Sequence, residues 1–169
     1  EAPCEIIQSL SISPKRNPPS LALPSFASGT IRLPVKETLA ARLSVLFDSL
    51  IEIIDTYNPT EGVIEQVFMA KSADSALKLG HARGAAMVAC VTKGLLVHEY
   101  AARQIKQSVV GTGAATKQQV QHMVTALLGL SEAPAEDAAD GLAAALCHCH
   151  TAGLSAALSA SGFRAGRLR

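Results

Sequence analysis

Aromatic side chains are scarce in this sequence, and tryptophan is absent. Phe, Trp and Tyr together account for 4% of the 169 residues, whereas apolar residues as a whole account for 49%. A chain of this length can bury one sizeable core, and that core must be built mainly from Ala, Leu, Val and Ile. The apolar content also excludes a chain that is disordered along its whole length.

The sequence also lacks a strong net charge and any apolar run of transmembrane length. The formal net charge is +1, so a nucleic-acid partner would require a local basic patch. No signal peptide is visible, and we expect a cytoplasmic protein with no membrane partner. The four cysteines in a chain of this length indicate reduced thiols and no disulfide framework.

Glycine and aspartate are both absent from the first 28 residues. This segment, 1–28, is rich in Pro and Ser and is typical of irregular chain, although residues 4–13 alternate as a short strand would. From residue 29 onward, strand patterns alternate with helix patterns, which predicts an α/β fold with an at least partly parallel sheet. We assign the domain to 29–151 and a flexible basic tail to 152–169.

Hydrophobic periodicity predicts where the regular elements lie. The expected helices cover 37–57, 73–92, 101–109 and 116–128, and a last helix has Pro134 in its first turn. The expected strands cover 29–33, 62–68 and 95–100.

Small residues line one ridge of the helix predicted at 73–92. Ala76, Gly80 and Gly84 stand four residues apart, and each glycine costs about 1 kcal/mol of helix stability relative to Ala. Such a ridge lets another backbone approach closely. The spacing fits an internal contact and a subunit interface equally well.

Three acidic residues are candidates for a metal site. Glu65 interrupts the apolar strand 62–68, and Asp137 and Asp140 share one face at the start of the last helix. A helix N-terminus stabilises such acids by about 0.3–1 kcal/mol. Together the three would form a cage of oxygens suited to Mg²⁺ or Mn²⁺, and two ions can clamp a phosphodiester. The alternative is that both aspartates are ordinary acids at a helix start.

Basic residues form a second set of candidates. Lys117 begins a helix after a glycine-containing loop, where backbone N–H groups and a lysine could hold a phosphate. Arg103, Lys106 and Lys71 would extend the basic track. The alternative is a set of solvated surface charges.

Phe68 and Met69 precede Lys71 at the end of the acidic strand. An aromatic ring and a thioether beside a lysine could stack on a base or wedge against one. The alternative is that Phe68 belongs to the core.

The run Cys147-His148-Cys149-His150 has the residue types of a zinc site. Its spacing argues against one, because consecutive helix positions point about 100° apart and do not converge on one ion.

Several segments, in order along the chain, resemble one known family. Residues 64–71 read Ile-Glu-Gln-Val-Phe-Met-Ala-Lys, and further matching segments lie at 73–80, 82–85, 99–104, 109–111, 119–123 and 137–140. Over roughly 29–150 the chain closely resembles the RuvC family of bacterial Holliday-junction resolvases, and residues 166–169 are similar to the family's tail.

The resemblance implies an RNase H-like fold with a mixed five-stranded sheet between helices. It implies a bacterial cytoplasmic homodimer that makes paired, symmetric, Mg²⁺-dependent nicks across four-way junction DNA in recombination and repair. Work beside the branch-migration proteins RuvA and RuvB is implied as well.

The resemblance also assigns roles by position. Glu65, Asp137 and Asp140 match three of the family's four metal-binding acids, which would hold two ions per subunit. Lys106 and Lys117 match lysines important for activity. Phe68 matches the family's aromatic residue that engages bases near the crossover. The helix with Ala76, Gly80 and Gly84 is similar to part of the family's dimer interface.

One departure concerns the fourth acid, which the family carries in an Asp-Pro-Gly turn on its first strand. This chain has no Asp before Asp48 and no Gly before Gly29, and Glu5 is the nearest acid to the expected position. Three acids would hold one of two metal ions poorly. The alternative function is therefore a catalytically impaired dimer that binds four-way junctions without cutting them.

Overall fold

The structure is a computed structural model that describes residues 11–12, 28–66 and 72–160, with side chains over 28–66 and 72–153. Its elements, in chain order, are β1 Ser11–Ile12, α1 Leu39–Tyr57, β2 Glu61–Gln66, α2 Ala73–Thr92, β3 Leu96–Ala101, α3 Ala102–Val110, α4 Lys117–Leu128 and α5 Glu136–Ala160. None of the helices in these ranges combines the length and the hydropathy needed to span a membrane.

Strand β2 lies at the centre of the sheet, whose order is β1-β2-β3. It pairs in parallel with β3, so that Val63 lies opposite His98 and Glu65 opposite Tyr100. It pairs antiparallel with β1, where Ser11 lies opposite Val63. The alternating strand predicted in the atypical N-terminal segment is confirmed where the structure describes it, at β1.

The sheet has three strands among the described residues, whereas the resemblance implies five. Most of the chain before residue 28 lies outside those residues. The strand predicted at 29–33 is wrong, because this stretch is irregular chain that ends at Pro34. Ile31 and Leu33 pack their side chains on the core instead of joining a ladder.

Helices cover both faces of the sheet. On one face, Ile64 packs with α1 and α2 through Leu46, Leu50 and Ala86. On the other face, Val63 packs with α3, α4 and α5 in a second cluster that includes Val124, Ala143 and Cys147. Because side chains alternate along a strand, neighbouring residues of β2 serve different layers. The core is built mainly from aliphatic residues, as the composition predicts.

The helix ends follow local sequence signals. The bounds of α2 agree with the prediction, and the capping box is present, with the Thr116 hydroxyl accepting from the Gln119 backbone and the Gln119 side chain accepting from the Thr116 backbone. Pro134, predicted inside the first turn of the last helix, lies ahead of it, and its carbonyl accepts a hydrogen bond from Gln121. Helix α5 continues to Ala160, beyond the boundary predicted at residue 151.

We expect Leu46→Ala to lower the free energy of unfolding by about 2–5 kcal/mol. The Leu46 side chain is 1% exposed between α1 and α2, so its removal leaves a cavity. Urea unfolding followed by circular dichroism measures the change. Leu127→Ala, at a leucine of α4 that is 43% exposed, is the matched control and should cost much less. Equal losses in the two variants would contradict this account of the core.

Candidate active site

Glu65 lies near the end of β2 and faces the layer formed by α3, α4 and α5. Its neighbours Val63 and Ile64 are buried in the two opposite core clusters, which hold the strand in register. This anchoring leaves Glu65 half-buried on the same face as Val63. The carboxylate therefore projects from a rigid strand into the region between the sheet and the three helices.

A pocket of about 160 Å³ opens at Glu65. Its polar lining comes from Glu65, Asp140, Lys106 and Lys117, which belong to four different elements. The apolar part of the lining consists of Ala102, Ile105, Val120 and Ala143. The structure thus brings together two of the predicted acids and two of the predicted lysines.

The two carboxylates are held in an environment that resists their ionisation. Burial raises the pKa of Glu65, the charge of Asp140 raises it further, and Lys106 and Lys117 act in the opposite direction. Burial likewise raises the pKa of Asp140, which Lys117 lowers and Asp137 raises. The charged forms of both carboxylates are therefore disfavoured, and a bound cation would stabilise them.

Lys117 is the first residue of α4, and its ammonium is surrounded by acids of α5. It forms an ion pair with Glu136, and its Nζ lies 3.8 Å from Oδ2 of Asp140. The hydrogen bond to Glu136 raises the pKa of Lys117, so the ammonium stays charged. Sequence reasoning missed Glu136, although an acid in the first turn of α5, next to Asp137, was the available signal.

Other predicted site residues lie outside this pocket. Asp137 is half-buried in the first turn of α5 and influences Asp140 through its charge, but it does not line the pocket. Arg103 is exposed on α3, and its side chain packs so closely over Gly113 that a Cβ at that glycine would overlap it. Phe68, Met69 and Lys71 fall outside the described residues.

The small-residue ridge of α2 has open space beside it. Ala76 is half-buried, Gly80 and Gly84 are exposed, and a Cβ added at either glycine would meet nothing within 4 Å. Large apolar side chains of the same helix are exposed as well, namely Leu77, Val88 and Val91. The described part of the chain therefore offers no internal contact that would explain the two glycines.

A second group of side chains could hold a metal ion. Glu61, His98 and His148 each offer one ligand atom, and these atoms all lie within 4.8 Å of one another. Sequence reasoning missed this group, because it considered only neighbours of His148 in the same helix as further metal ligands. The period of β2 was an available signal, since it places Glu61 on the same face as Glu65.

Comparison with known proteins identifies close relatives. The family model for crossover junction endodeoxyribonuclease RuvC matches residues 17–148. The chain is 61% identical over 143 residues to the protein of that name from Saccharophagus degradans, covering 84% of this chain and 83% of the relative. It is 65% identical over 129 residues to the one from Teredinibacter turnerae, covering 74% and 73%.

Two solved structures share the fold. T. thermophilus RuvC in complex with a Holliday junction substrate superposes with a TM-score of 0.73 and 31% identity, over 77% of this chain and 79% of that one. Thermus thermophilus RuvC superposes with a TM-score of 0.72 and 29% identity, over 88% of both chains. The RNase H-like fold predicted from the sequence is confirmed. The protein belongs to the RuvC family of crossover junction endodeoxyribonucleases, hydrolases that act on DNA.

Proposed function

We propose that this protein resolves four-way DNA junctions by paired, metal-dependent nicks, with the pocket at Glu65 as its active centre. The observation that carries the proposal is that two carboxylates with raised pKa values and two lysines line one open pocket of a RuvC-family chain. The junction-bound structure of a relative supports junction DNA as the substrate. The comparisons favour this enzyme over the alternative of a protein that only binds junctions.

Glu65 and Asp140 are suited to hold Mg²⁺, and Mn²⁺ would fit the same oxygens. Burial and neighbouring acids raise the pKa of both carboxylates, and Lys106 and Lys117 offset this only in part, so a bound cation would stabilise their charged forms. Asp137, one turn from Asp140, would complete the set of acids for two ions per subunit. When bound, the ions supply Lewis-acid polarisation of the phosphate and activation of a water molecule.

The two lysines would stabilise the charge of the reacting phosphodiester. Water forms a bond to phosphorus while the bond to the 3′ oxygen breaks, which leaves a 5′-phosphate and a 3′-hydroxyl. Negative charge grows on the phosphate oxygens during this step, and fixed cations facing them lower its barrier. Lys117 is positioned for this role, because Glu136 holds it at the pocket in its charged form.

The DNA would continue along α3 away from the pocket. Lys106 lines the pocket and Arg103 follows on the exposed side of the same helix, so both can contact phosphates. Base contacts by Phe68 and Met69, and a phosphate contact by Lys71, remain predictions from the resemblance.

The exposed face of α2 is our candidate for the dimer interface. Its two glycines permit close approach of a second helix, and Leu77, Val88 and Val91 would be covered by that contact. A two-fold dimer presents two active centres to a two-fold symmetric junction, as paired nicks require. Action beside RuvA and RuvB, in a bacterial cytoplasm, remains a further prediction.

Strand β1 does not supply the family's missing first-strand acid in its described part. It occupies the edge beside β2 with Ser11 and Ile12, and neither side chain is a metal ligand of the required kind. Glu5, the nearest acid, lies outside the described residues.

We expect Glu65→Gln to stabilise the metal-free protein at pH 7 but not at pH 4. Burial raises the pKa of Glu65 above its ordinary 4.5, so the charge of its carboxylate opposes folding at pH 7. At pH 4 the Glu65 carboxyl group is largely protonated in both the folded and the unfolded state. Single stabilising substitutions typically contribute about 0.5–2 kcal/mol. Urea unfolding with and without Mg²⁺ provides the measurement, and Mg²⁺ should stabilise the unmutated chain more than the variant.

The control for this prediction is Glu52→Gln, at an exposed glutamate of α1. It should change the free energy of unfolding by less than about 0.5 kcal/mol. A loss of stability in Glu65→Gln at pH 7 would show that the folded state does not disfavour the charged form of Glu65.

The central test of function uses a labelled four-way junction. With Mg²⁺ the protein should introduce symmetric nicks, and with Ca²⁺ it should bind without cutting. Glu65→Gln and Lys117→Ala should each slow nicking by about 10²–10³-fold, the usual cost of removing one group that stabilises the transition state. Lys93→Ala is the matched control, since its ammonium pairs with Asp55 and is absent from the pocket lining.

Binding without nicks in Mg²⁺ would rule out the enzyme and support the junction-binding alternative. Nicking that persists in Glu65→Gln would place the active centre elsewhere.

The dimer interface is tested with a bulky charge on the ridge of α2. Gly84→Arg should convert a dimer into a folded monomer, because the side chain has open space within the protomer and would obstruct a second helix. Sedimentation velocity measures the change in mass. Gly153→Arg, at an exposed glycine of α5 with equally open surroundings, should remain dimeric. A dimeric Gly84→Arg variant would refute this interface.

A further inference from the structure

We propose that Glu61, His98 and His148 form a second metal site that binds Zn²⁺ and is separate from the nuclease pocket. The three residues come from β2, β3 and α5, and their ligand atoms lie within 4.8 Å of one another. The proposal stands on this geometry and does not depend on the proposed function.

The contact between His148 and Glu61 needs either a proton or a cation between the two side chains. Nε2 of His148 lies 2.5 Å from Oε2 of Glu61, and both atoms are acceptors when the imidazole carries its proton on Nδ1. In the metal-free protein a proton on Nε2 would bridge them. A cation can replace that proton, because the metal ligand is the neutral imidazole and the ionised carboxylate.

The opposite side of the His148 ring is already oriented by a partner. Nδ1 lies 2.8 Å from the hydroxyl oxygen of Tyr100, which can accept a hydrogen bond from an Nδ1–H group. Histidines that bind metals commonly donate their second ring N–H to an oxygen in this way, which directs the other nitrogen towards the ion. Tyr100 is therefore suited to be the residue that positions His148.

His98 supplies an unsatisfied nitrogen beside this pair. Its ring centroid lies 4.3 Å from that of His148, and its Nε2 is buried without a hydrogen-bond partner among the described residues. Buried polar atoms of proteins are nearly always paired, so an orphan of this kind calls for a missing partner. An ion bound through Nε2 would be that partner.

The donor set selects the kind of ion. Two imidazoles and one carboxylate are the ligands of known three-residue zinc sites, in which water takes the fourth position. Mg²⁺ prefers oxygen ligands and keeps several waters, so it suits the acids at Glu65 better. The His148 side chain is 8% exposed and that of Glu61 is 26% exposed, so the fourth position would open beside Glu61.

The two sites lie towards opposite ends of one strand. Glu61 and Glu65 are four residues apart on the same face of β2, which corresponds to about 13 Å, and Val63 separates them. An ion at Glu61 would tie the start of β2 to β3 and to α5. Zn²⁺ should therefore raise the melting temperature of the whole domain.

The binding test is a calorimetric titration of the metal-free 169-residue chain with Zn²⁺ in excess Mg²⁺, which occupies oxygen-rich sites. We expect one Zn²⁺ per chain, and at least about 10-fold weaker binding in Glu61→Gln and in His98→Gln. His150→Gln is the matched control, because this exposed histidine is two residues further along α5 and contacts Ser108 instead. Glu65→Gln should also retain Zn²⁺ binding while it loses nicking activity, which separates this proposal from the nuclease.

Unchanged Zn²⁺ affinity in both Glu61→Gln and His98→Gln would overturn the proposal. Circular dichroism confirms that each variant is folded.

A measurement on the unmutated chain avoids any effect of substitution on folding. Co²⁺ in place of Zn²⁺ should give visible bands of a nitrogen and oxygen site with low coordination number. An intense thiolate-to-metal band would assign the ion to the cysteines of α5, and a spectrum equal to that of free Co²⁺ would show that no such site exists; either result would refute the proposal.

Discussion

The enclosure of strand β2 between two layers of helices is the constraint on which the rest of the structure depends. Ile64 packs on one side of the strand against α1 and α2, and Val63 packs on the other side against α3, α4 and α5. With these two side chains buried, the strand cannot slip by one residue without exchanging its faces. Glu61 and Glu65 are consequently fixed on the side of α5, where polar residues of the helices meet them.

Placing carboxylates on such a strand has an electrostatic consequence. Burial disfavours the charge of Glu65 and of Asp140, and the two acids also repel each other. Lys106 and Lys117 offset part of this effect without removing it. A cation bound here would compensate the negative charge that the fold alone leaves in place, and together with the two lysines it would offer positive charge to a phosphate. The charges that the proposed activity would use therefore lower the stability of the metal-free protein.

Helix α2 shows how one element divides its surface between two tasks. Ala82, Ala86 and Ala89 are buried against α1 and the sheet, and their small size allows close packing. The opposite side carries exposed glycines and exposed apolar residues. The stability of the chain explains the first side. No contact among the described residues explains the second side, and we therefore propose that a second subunit covers it.

Periodicity and local signals in the sequence by themselves determined the bounds of α2, the capping box at Thr116 and the strand that carries Glu65. Each of these depends on residues close to one another along the chain. The family resemblance was likewise carried by contiguous segments. The strand predicted at 29–33 failed, because only the packing of Leu33 on the core decides between a strand and irregular chain. The meeting of Lys106, Lys117 and Asp140 around Glu65, and that of His98 and His148 around Glu61, depended on tertiary structure alone. The register of β2 against β3 and the packing of α5 on the sheet set those distances, and neither can be calculated from spacing along the chain.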